Sequence, residues 1–462
     1  MLSLLSPLSL AFMLPASGNL SVHLPVQSGV VAGFALQSAA SGAAVTVRNA
    51  DQLRTALASP AAGATIMLAP GNYGDLSLRN RIFENGLTLV SLDPSRPARF
   101  DTVRTTNVSN LRLQGLTIGR ALRSGETSAV TLITVQDSRS IALDGLTVAS
   151  SADGNFTNDA RGVLVNTSSD VRITGSRFSD LRLGIASVGS SNLQIAGNDI
   201  RRVSMDGIQI GNATNVVVAD NFITDIHWLE PDHPDGIQLW AKEMTSTNIV
   251  VRGNIVLQGR GRGAQGVFMR ATTGSFRGVR IENNLVYGAD QFNGIMVEGG
   301  SDVLIAGNNA LSPSTDRKTF WIRVENVAGA TVRNNLTDQV VIDSSGRKST
   351  GLRVENNLSL KEKPSYVARI ADLNKLAAAQ PGGLTLPNVG YLSAGGAASL
   401  PAPLEQTTLT GNQIAGAASV GSDAPTSAPV RTSAKTTPAP APAKPTRQQQ
   451  LETLLKARSQ TR

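Results

Sequence analysis

A histidine lies between two carboxylates in residues 232–240, DHPDGIQLW. Imidazole titrates near neutral pH, so His233 is a candidate general base that removes a proton from a bound substrate. Asp235 is a candidate catalytic partner, because a nearby carboxylate can orient and support such a base. The alternative is an ordinary loop histidine that only hydrogen-bonds Asp235. We predict that the loop spans residues 222–235 and is the most elaborate in the chain.

Basic residues near this loop suggest which reaction the base would serve. β-Elimination on a uronic acid needs a group that neutralises the sugar carboxylate, a base for the C5 proton and an acid for the leaving oxygen. Arg270, or a Ca²⁺ ion held by Asp232 and Asp235, is the candidate neutralising group. Lys242, Arg270 or Tyr287 is the candidate that completes the set. A C5-epimerase would use the same groups and return the proton to the sugar.

Paired carboxylates keep a second chemistry open. Glycosidases place two carboxyl groups on either side of the bond that they cleave. Asp206 with Asp235, and Glu298 with Glu325, each occupy equivalent places in successive repeats. Stacked acids also decorate the surfaces of many repeat proteins, and Glu298 beside an arginine can be a simple surface ion pair.

Metal ligands are scarce in the sequence. The chain has 3 histidines and no cysteine, which excludes thiolate metal sites and disulfide bonds. No EF-hand pattern is present. A Ca²⁺ site at Asp232 and Asp235 is therefore the metal site that we predict.

The strands that must position these residues recur along the chain. One family of apolar units repeats at intervals of roughly 22 to 33 residues, which is typical of a solenoid, and its β-branched composition predicts strands. Its members include LRLQGLTI, VRITGSRF, VVVADNFI, IVVRGNIV and VRIENNLV. A second family lies between them, with members DGIQI, DGIQL, QGVFM, NGIMV and FWIRV. The sequence thus predicts a parallel β-solenoid.

Stacking the second family places equivalent residues in columns about 4.8 Å apart. With the apolar positions inside, two outer columns are predicted: Gln209, Gln238, Phe268, Met296, Arg323, and Gly211, Trp240, Arg270, Glu298, Glu325. Such a strip offers stacking faces, hydrogen-bond donors and charge to a sugar chain. We take the following residues as candidate substrate-binding residues, the two loop arginines included: Gln209, Gln238, Trp240, Arg260, Arg262, Glu298, Arg323 and Glu325.

An asparagine occupies the same turn position in seven successive units: Asn198, Asn221, Asn254, Asn284, Asn308, Asn335 and Asn357. Asparagine tolerates the left-handed conformation, and its amide can hydrogen-bond along a stack of identical neighbours. Earlier units carry Gly115, Gly145 and Gly175 there. We predict a structural role for this column.

With these repeats, residues 45–414 resemble the right-handed parallel β-helix superfamily, which includes pectate lyases, alginate lyases and epimerases, chondroitinase B, polygalacturonases and phage tailspikes. The entry segment DQLRTALASPAAGATIMLAPGNYGDLSL resembles the start of the alginate-lyase and chondroitinase B group. The catalytic Lys and Arg signatures of that group are not found, and FMRATTGSF with Arg270 is the nearest segment. The resemblance implies a fold that hosts several carbohydrate chemistries.

The charge of the chain suggests an anionic partner. The formal net charge is +8, and cationic proteins attract polyanions. No cluster of Lys and Arg alternates with aromatic residues, so we expect an acidic polysaccharide and no nucleic acid. The body of the chain has no apolar run long enough for a transmembrane segment.

The two ends of the chain differ from the repeats. Residues 1–44 are apolar and end in small residues, which suggests an export signal or an unstructured arm, and hence a secreted or periplasmic protein. Residues 45–420 form the predicted right-handed parallel β-helix, with an N-terminal helical cap at residues 49–57. Residues 421–446 are rich in Pro, Ala and Thr and suggest a disordered linker. Residues 447–462 suggest a short helix, either isolated or able to dock a partner.

We expect an exported, all-β right-handed parallel β-helix of about ten or eleven coils. We expect it to act on a uronate-containing polysaccharide by β-elimination or C5-epimerisation, centred on His233. The alternatives are a glycoside hydrolase with paired carboxylates and a non-catalytic glycan-binding protein, adhesin or scaffold.

Overall fold

The computed structural model describes residues 42–229, 233–312 and 318–359, and the backbone of two short strands beyond them. All of these lie in the first of two compact units, Met1–Ser419. The predicted linker and C-terminal helix, and nearly all of the predicted export signal, lie outside the described residues. No described helix has the length and hydropathy to cross a membrane.

A short helix begins the fold, as the sequence predicts. Asn49 caps it by accepting a hydrogen bond at its Oδ1 from the backbone N–H of Gln52 at 2.9 Å. Leu53 and Leu57, one turn apart, are buried against the first strands. The first elements are β1 (Ala44–Val47), α1 (Ala50–Ala58) and β2 (Thr65–Leu68). The helix therefore covers one end of a sheet edge that would otherwise be open to pairing.

Coils of chain then stack in register, and each coil carries strands on three faces in the order first, second and third. In four coils one long strand serves both the first and the second face. The strands are β3 (Asp75–Ser91), β4 (Arg99–Phe100), β5 (Thr102–Gln114), β6 (Thr117–Ile118), β7 (Thr131–Gln136), β8 (Arg139–Asp144), β9 (Thr147–Ala149), β10 (Arg161–Asn166), β11 (Ser169–Thr174), β12 (Arg177–Leu181), β13 (Ile185–Val188), β14 (Ser191–Ala196), β15 (Asp199–Val203), β16 (Ile208–Gly211), β17 (Thr214–Ala219) and β18 (Phe222–Ile226).

The same order continues through the second half of the described solenoid: β19 (Asp235–Ala241), β20 (Thr245–Arg252), β21 (Ile255–Leu257), β22 (Gln265–Ala271), β23 (Ser275–Glu282), β24 (Leu285–Tyr287), β25 (Asn293–Ala306), β26 (Asn309–Leu311), β27 (Trp321–Arg333), β28 (Leu336–Thr337), β29 (Gln339–Ile342), β30 (Arg353–Glu355) and β31 (Leu358–Ser359). In the described part of the chain, the third face is an 11-stranded sheet with one strand from each coil. The strands of the coils pair in parallel, and the fold is the predicted right-handed parallel β-helix.

The core is a set of apolar columns inside the coils. On the first face Ile208, Ile237, Val267, Ile295 and Ile322 lie opposite one another in successive strands, and each is 0% exposed. The residues between them point outward, because successive side chains of a strand alternate between its two faces. The buried columns thus fix which side chains form the outer surface.

The predicted asparagine column is a continuous hydrogen-bonded ladder. The side-chain Oδ1 of Asn221 accepts both the backbone N–H and the Nδ2–H of Asn198, at 3.1 and 2.9 Å. Asn254 and Asn284 repeat the pattern, and the ladder continues to Asn357. Each amide also donates to a backbone carbonyl, such as that of Ile173. The predicted structural role of this column is confirmed.

One detail of the turn differs from the sequence-based expectation. The ladder asparagines are not left-handed. The left-handed residue is the one before each of them: Gly197, Asp220, Gly253, Asn283, Gly307, Asn334 and Asn356, with φ between 52° and 66°. The ladder residue must instead hold its side chain parallel to the ladder asparagines of the adjacent coils. The preceding residue therefore adopts the left-handed conformation.

Two further strands follow the parallel stack. The strands β32 (Thr385–Pro387) and β33 (Gln406–Thr408) pair with each other in antiparallel orientation and form a separate two-stranded sheet. They are therefore not further coils of the parallel stack.

Candidate active site

The outer surface of the first face carries the predicted columns. Gln209 lies opposite Gln238, and Gln238 lies opposite Phe268. Arg270 lies opposite Glu298 in the next coil. The strand registers therefore confirm both columns, which continue to Arg323 and Glu325.

A pocket opens over the C-terminal half of these columns, with a volume of about 510 Å³. It is lined by His233, Gln265, Phe268, Arg270, Asn293, Met296, Glu298, Arg323, Glu325, Ser345 and Arg347. His233, from the loop before β19, and Arg270, from β22, thus meet at one site. The structure brings together an imidazole, three guanidinium groups and two carboxylates.

The His233 imidazole lies against a buried carboxylate. Its Nδ1 is 3.6 Å from Oδ2 of Asp235, and the His233 side chain is 70% exposed while that of Asp235 is 0% exposed. Gln238 donates its Nε2–H to the same Oδ2 at 2.6 Å. Burial raises the pKa of Asp235 above its usual range, although the His233 contact opposes that rise. The carboxyl thus orients an imidazole whose other edge faces solvent and the pocket.

A second buried carboxyl lies one coil earlier. Asp206 accepts the backbone N–H of Asp235 at its Oδ1, at 2.8 Å, and Gln209 donates to its Oδ2, also at 2.8 Å. Gln209 donates as well to Oε1 of Gln238, which links the two carboxyls through side-chain amides. Burial, followed by the charge of Asp235, raises the pKa of Asp206 to about 8. Asp206 therefore keeps its proton at neutral pH.

This arrangement weighs against a hydrolase role for Asp206 and Asp235. Both side chains are buried beneath the outer surface, at 1% and 0% exposure. A glycosidase needs its two carboxyl groups on either side of the scissile bond, where the substrate can reach both. A sugar chain on this surface would contact Gln209 and Gln238 before it reached either carboxyl.

Three arginine side chains, from β22, β27 and the turn after β29, line one side of the pocket. The Nε of Arg270 lies 3.0 Å from Oε2 of Glu298, and a terminal nitrogen of Arg347 lies 3.3 Å from Oε1 of the same carboxylate. Arg323 pairs in the same way with Glu325. The three arginines and two glutamates leave one net positive charge on this side, which suits an anionic ligand.

Glu325 is held ionised. Burial alone would raise its pKa, but hydrogen bonds from Ser344 and Ser345, together with Arg323, lower the pKa to about 2. Its carboxylate is therefore a charge partner for Arg323 and not a proton donor at neutral pH. Glu325 is therefore not the carboxylic acid that glycosidase chemistry needs, and both oxygens of Glu298 contact arginines.

Several predicted residues lie away from the pocket. Lys242 follows β19 in an exposed turn, where its Nζ lies 3.6 Å from Oε1 of Glu243. Tyr287 is buried in β24 on the third face, where burial raises the pKa of its hydroxyl. Neither lines the pocket, so Arg270 is the one of the three proposed completing residues that does. Trp240 lies on the outer face with its ring over Gly211, where any larger residue would clash.

The loop arginines contact a different surface. The guanidinium of Arg262 lies 3.6 Å from the centre of the Trp228 ring and donates to the Trp228 carbonyl at 3.0 Å. The backbone N–H of Arg260 donates to Asp225. The two arginines do lie beside the elaborated loop, as we expect, but they do not line the pocket. That loop is also shorter than predicted, because Phe222–Ile226 is strand β18.

Sequence reasoning missed other residues of the pocket. Gln265 and Asn293 follow Asp235 in the next two coils. Gln265 hydrogen-bonds Asp235, and Asn293 donates to Gln265. Because they follow Asp235 in the repeat, they could have been identified from the sequence. Arg347 comes from a turn after β29 that follows no repeat, so no pattern in the sequence indicates it.

The predicted calcium site lies only partly within the described residues. No group of three acidic or histidine side chains in the described ranges is arranged to hold a metal ion. Asp232 lies outside the described residues. Asp235 is buried, and its Oδ2 already accepts a hydrogen bond from Gln238. No step proposed below uses a metal.

Comparison with known proteins supports the fold. The profile of the family described as "Right handed beta helix region" matches residues 101–267, which is less than half of the chain. This match and the parallel coils confirm the resemblance to right-handed parallel β-helix proteins. No curated protein matches the sequence.

Solved structures with some similarity include two lyases and an adhesin. An alginate lyase from Paenibacillus sp. str. FPU-7 is 15% identical, with a TM-score of 0.40, over 68% of this chain and 99% of that chain. A mannuronic acid specific family 6 polysaccharide lyase from human gut microbiota is 12% identical, with a TM-score of 0.42, over 71% and 94%. A surface adhesin of Streptococcus pneumoniae is 11% identical, with a TM-score of 0.39, over 64% and 76%. Similarity at this level identifies neither substrate nor reaction.

Proposed function

We propose that this protein acts on a uronate-containing polysaccharide by β-elimination, with His233 as the base. The observation that carries the proposal is the pocket itself. An exposed imidazole, supported by a buried carboxyl, and three guanidinium groups line one open site. Export to the periplasm or the cell exterior, where such polymers occur, is part of the same proposal.

Substrate binding would begin with the sugar carboxylate. A guanidinium has five N–H donors, so Arg270 can keep its contact with Glu298 and still bind a uronate oxygen. Arg323 and Arg347 are in the same pocket and reinforce the positive charge. Neutralising the carboxylate makes the C5 hydrogen more acidic, because the negative charge that develops at C5 can spread into the carboxyl group.

The elimination then needs one proton to leave and one to arrive. His233 takes the C5 proton, the C5–H electrons form the C4–C5 double bond, and the C4–O bond breaks. The leaving oxygen takes up a proton. Among the described pocket residues the protonated His233 is the group suited to supply it, because the arginines stay charged and Glu325 stays ionised. The reaction would therefore occur on one face of the sugar.

C5-epimerisation is the second outcome of the same first step. It requires a proton donor on the opposite face of the sugar ring. The described lining of the pocket places its one imidazole on one side, which favours elimination. A glycan-binding protein without chemistry would use the same arginines and lack turnover.

The test is to incubate the full chain with a panel of uronate polymers and follow the ultraviolet absorbance of the unsaturated product. His233→Ala should lower the rate about 100-fold or more, since a positioned base contributes on that scale. Asp235→Asn should also lower it, by weakening the support of the imidazole. His227→Gln is the matched control, because His227 stacks on Phe156 and does not line the pocket.

The same samples in deuterated water separate the alternatives. Deuterium at C5 without an unsaturated product indicates epimerisation. Shortened chains without either signal indicate hydrolysis. If His233→Ala retained full activity on a polymer that the wild type cleaves, His233 would not be the base.

A further inference from the structure

Two aromatic side chains flank the pocket at its C-terminal end, and the proposed reaction uses neither of them. The rings of Phe292 and Trp321 have centroids 4.8 Å apart with planes inclined at 34°. Phe292 is 42% exposed, which is unusual for a large apolar side chain, and Trp321 is partly exposed. We call these two residues the aromatic pair.

Strand geometry places the aromatic pair on the same outer face as the pocket. Trp321, Arg323 and Glu325 alternate along β27 with the buried Ile322 and Val324, so they share the outer face. Arg323 and Glu325 line the pocket. Phe292 immediately precedes Asn293, which lines the pocket as well.

The register fixes the distance from the reactive centre. Asp235 pairs with Gln265, Asn293 bonds Gln265, and Asn293 pairs with Trp321 across a one-residue register shift, in four successive coils. Three steps of about 4.8 Å place Trp321 about 14 Å from the end of the pocket at Asp235 and His233. This spacing is several sugar rings long, so one extended chain can contact both ends.

The chemistry of the aromatic pair suits a sugar ring. Aromatic rings combine a large apolar surface with a negative face, against which the C–H groups of a pyranose can pack. Lys318 adds a positive charge at the same place. Its Nζ lies 5.8 Å from the Phe292 ring centre and donates to the Asp290 carbonyl at 3.1 Å. A stacking surface beside a cation matches a sugar that carries a carboxylate.

We infer that the aromatic pair is a sugar-stacking subsite about three coils from His233, which holds a uronate residue of the same chain that reacts at the pocket. The inference rests on the proposed polysaccharide substrate and adds a length requirement to it. Oligomers of about four sugars or more reach the subsite, while dimers placed at His233 do not.

The experiment measures binding and not turnover. Oligouronates of increasing length are titrated calorimetrically into full-length His233→Ala protein, with and without Trp321→Ala or Phe292→Ala. Each aromatic substitution should weaken binding of long oligomers about tenfold and leave dimer binding unchanged. Phe156→Ala is the control, because Phe156 stacks on His227 away from the pocket.

The outcomes separate the two proposals. Equal affinities of the Trp321→Ala and reference proteins at every length would overturn the subsite, whatever the activity of the wild type. Length-dependent loss together with an inactive wild type would keep the subsite and reject the reaction. If uniform loss at all lengths accompanied a lower melting temperature, the aromatic pair would be a packing contact only, and the inference would be wrong.

Discussion

At the scale of single residues, the unusual feature is the pair of buried carboxyls behind His233. Asp206 and Asp235 lie in adjacent coils, and amide side chains link them to each other. Of the two, Asp235 has an oxygen, Oδ1, with no hydrogen-bond partner among the described residues. Two negative charges in adjacent buried carboxyls repel each other strongly, because little water screens them. The pair therefore holds a proton at neutral pH.

The protonation of Asp206 predicts how stability depends on pH. Its pKa is 3.8 ordinarily and about 8 in the folded protein. The stability that this shift provides is complete below about pH 4 and is lost as pH rises through 8. Asp206→Asn carries no charge at any pH. We therefore expect its melting temperature, relative to wild type, to rise steadily from about pH 4 to about pH 8.

Thermal melts of both proteins across that pH range make the comparison. Asp51→Asn, at an exposed position of α1, serves as the control and should show no comparable trend. Melting curves for Asp206→Asn and wild type that stay parallel across the range would contradict a protonated Asp206.

Part of this site could be predicted from the sequence. His233 and Arg270 stand out because a loop insertion and a repeat column mark them. The burial of Asp206 and Asp235 was not predictable, since alternation places them at the start of a strand where the side-chain direction is not fixed. Arg347 lies in a turn without a repeat, and only the folded chain shows its contact with Glu298.

At the scale of structural elements, the asparagine ladder joins the coils. Asn254 is fully buried, accepts two hydrogen bonds from Asn221, and donates to Asn284 and to the Val218 carbonyl. Its removal would leave the buried backbone N–H and one of the two Nδ2–H groups of Asn221 without an acceptor, since the other bonds the Ile195 carbonyl. Buried polar groups without partners are costly, so each rung of the ladder supports its neighbours.

We predict that Asn254→Ala lowers the free energy of unfolding by about 3 kcal/mol. Asn72→Ala is the matched control, because the exposed Asn72 also bonds an adjacent coil, through Asp101 at 3.1 Å, and should cost less than about 1 kcal/mol. Denaturant titrations give both values. Similar losses for the two variants would mean that the ladder adds nothing beyond a surface hydrogen bond.

The repeat pattern was sufficient to predict the elements. Seven asparagines in register and two families of apolar strands define the coils, and the observed registers match them. The left-handed residue before each ladder position was harder to assign, because Gly, Asp and Asn share that place. The antiparallel pair β32–β33 has no repeat signal and pairs by backbone contacts that a sequence pattern does not encode.

At the scale of the whole molecule, the balance of charge supports an anionic partner. The chain carries 42 basic and 34 acidic residues. Exposed charges interact over about 10 Å at 0.1 M salt and over shorter distances at higher salt. A polyuronate held partly by the field of the whole protein should therefore bind less tightly as the salt concentration rises.

We expect the affinity for a polyuronate to fall by about tenfold or more between about 0.01 and 0.3 M sodium chloride. Arg270→Gln should weaken both the affinity and its salt dependence, whereas Arg277→Gln, on the second face, should change neither appreciably. Equilibrium titration with a neutral polymer of the same length gives the baseline. Binding of the acidic polymer that does not respond to salt would exclude a charge-driven association.

Because the coils from Asn198 to Asn357 meet their neighbours through the same ladder and the same apolar columns, a complete coil there is a natural unit of change. Inserting or deleting a whole repeat would reconnect identical edges and would lengthen or shorten the groove by one step. A change of a few residues can be absorbed only where the chain leaves the stack, as it does between β18 and β19. The molecule can therefore vary its reach along a polymer and its local chemistry independently, the first by duplication and the second by loop growth.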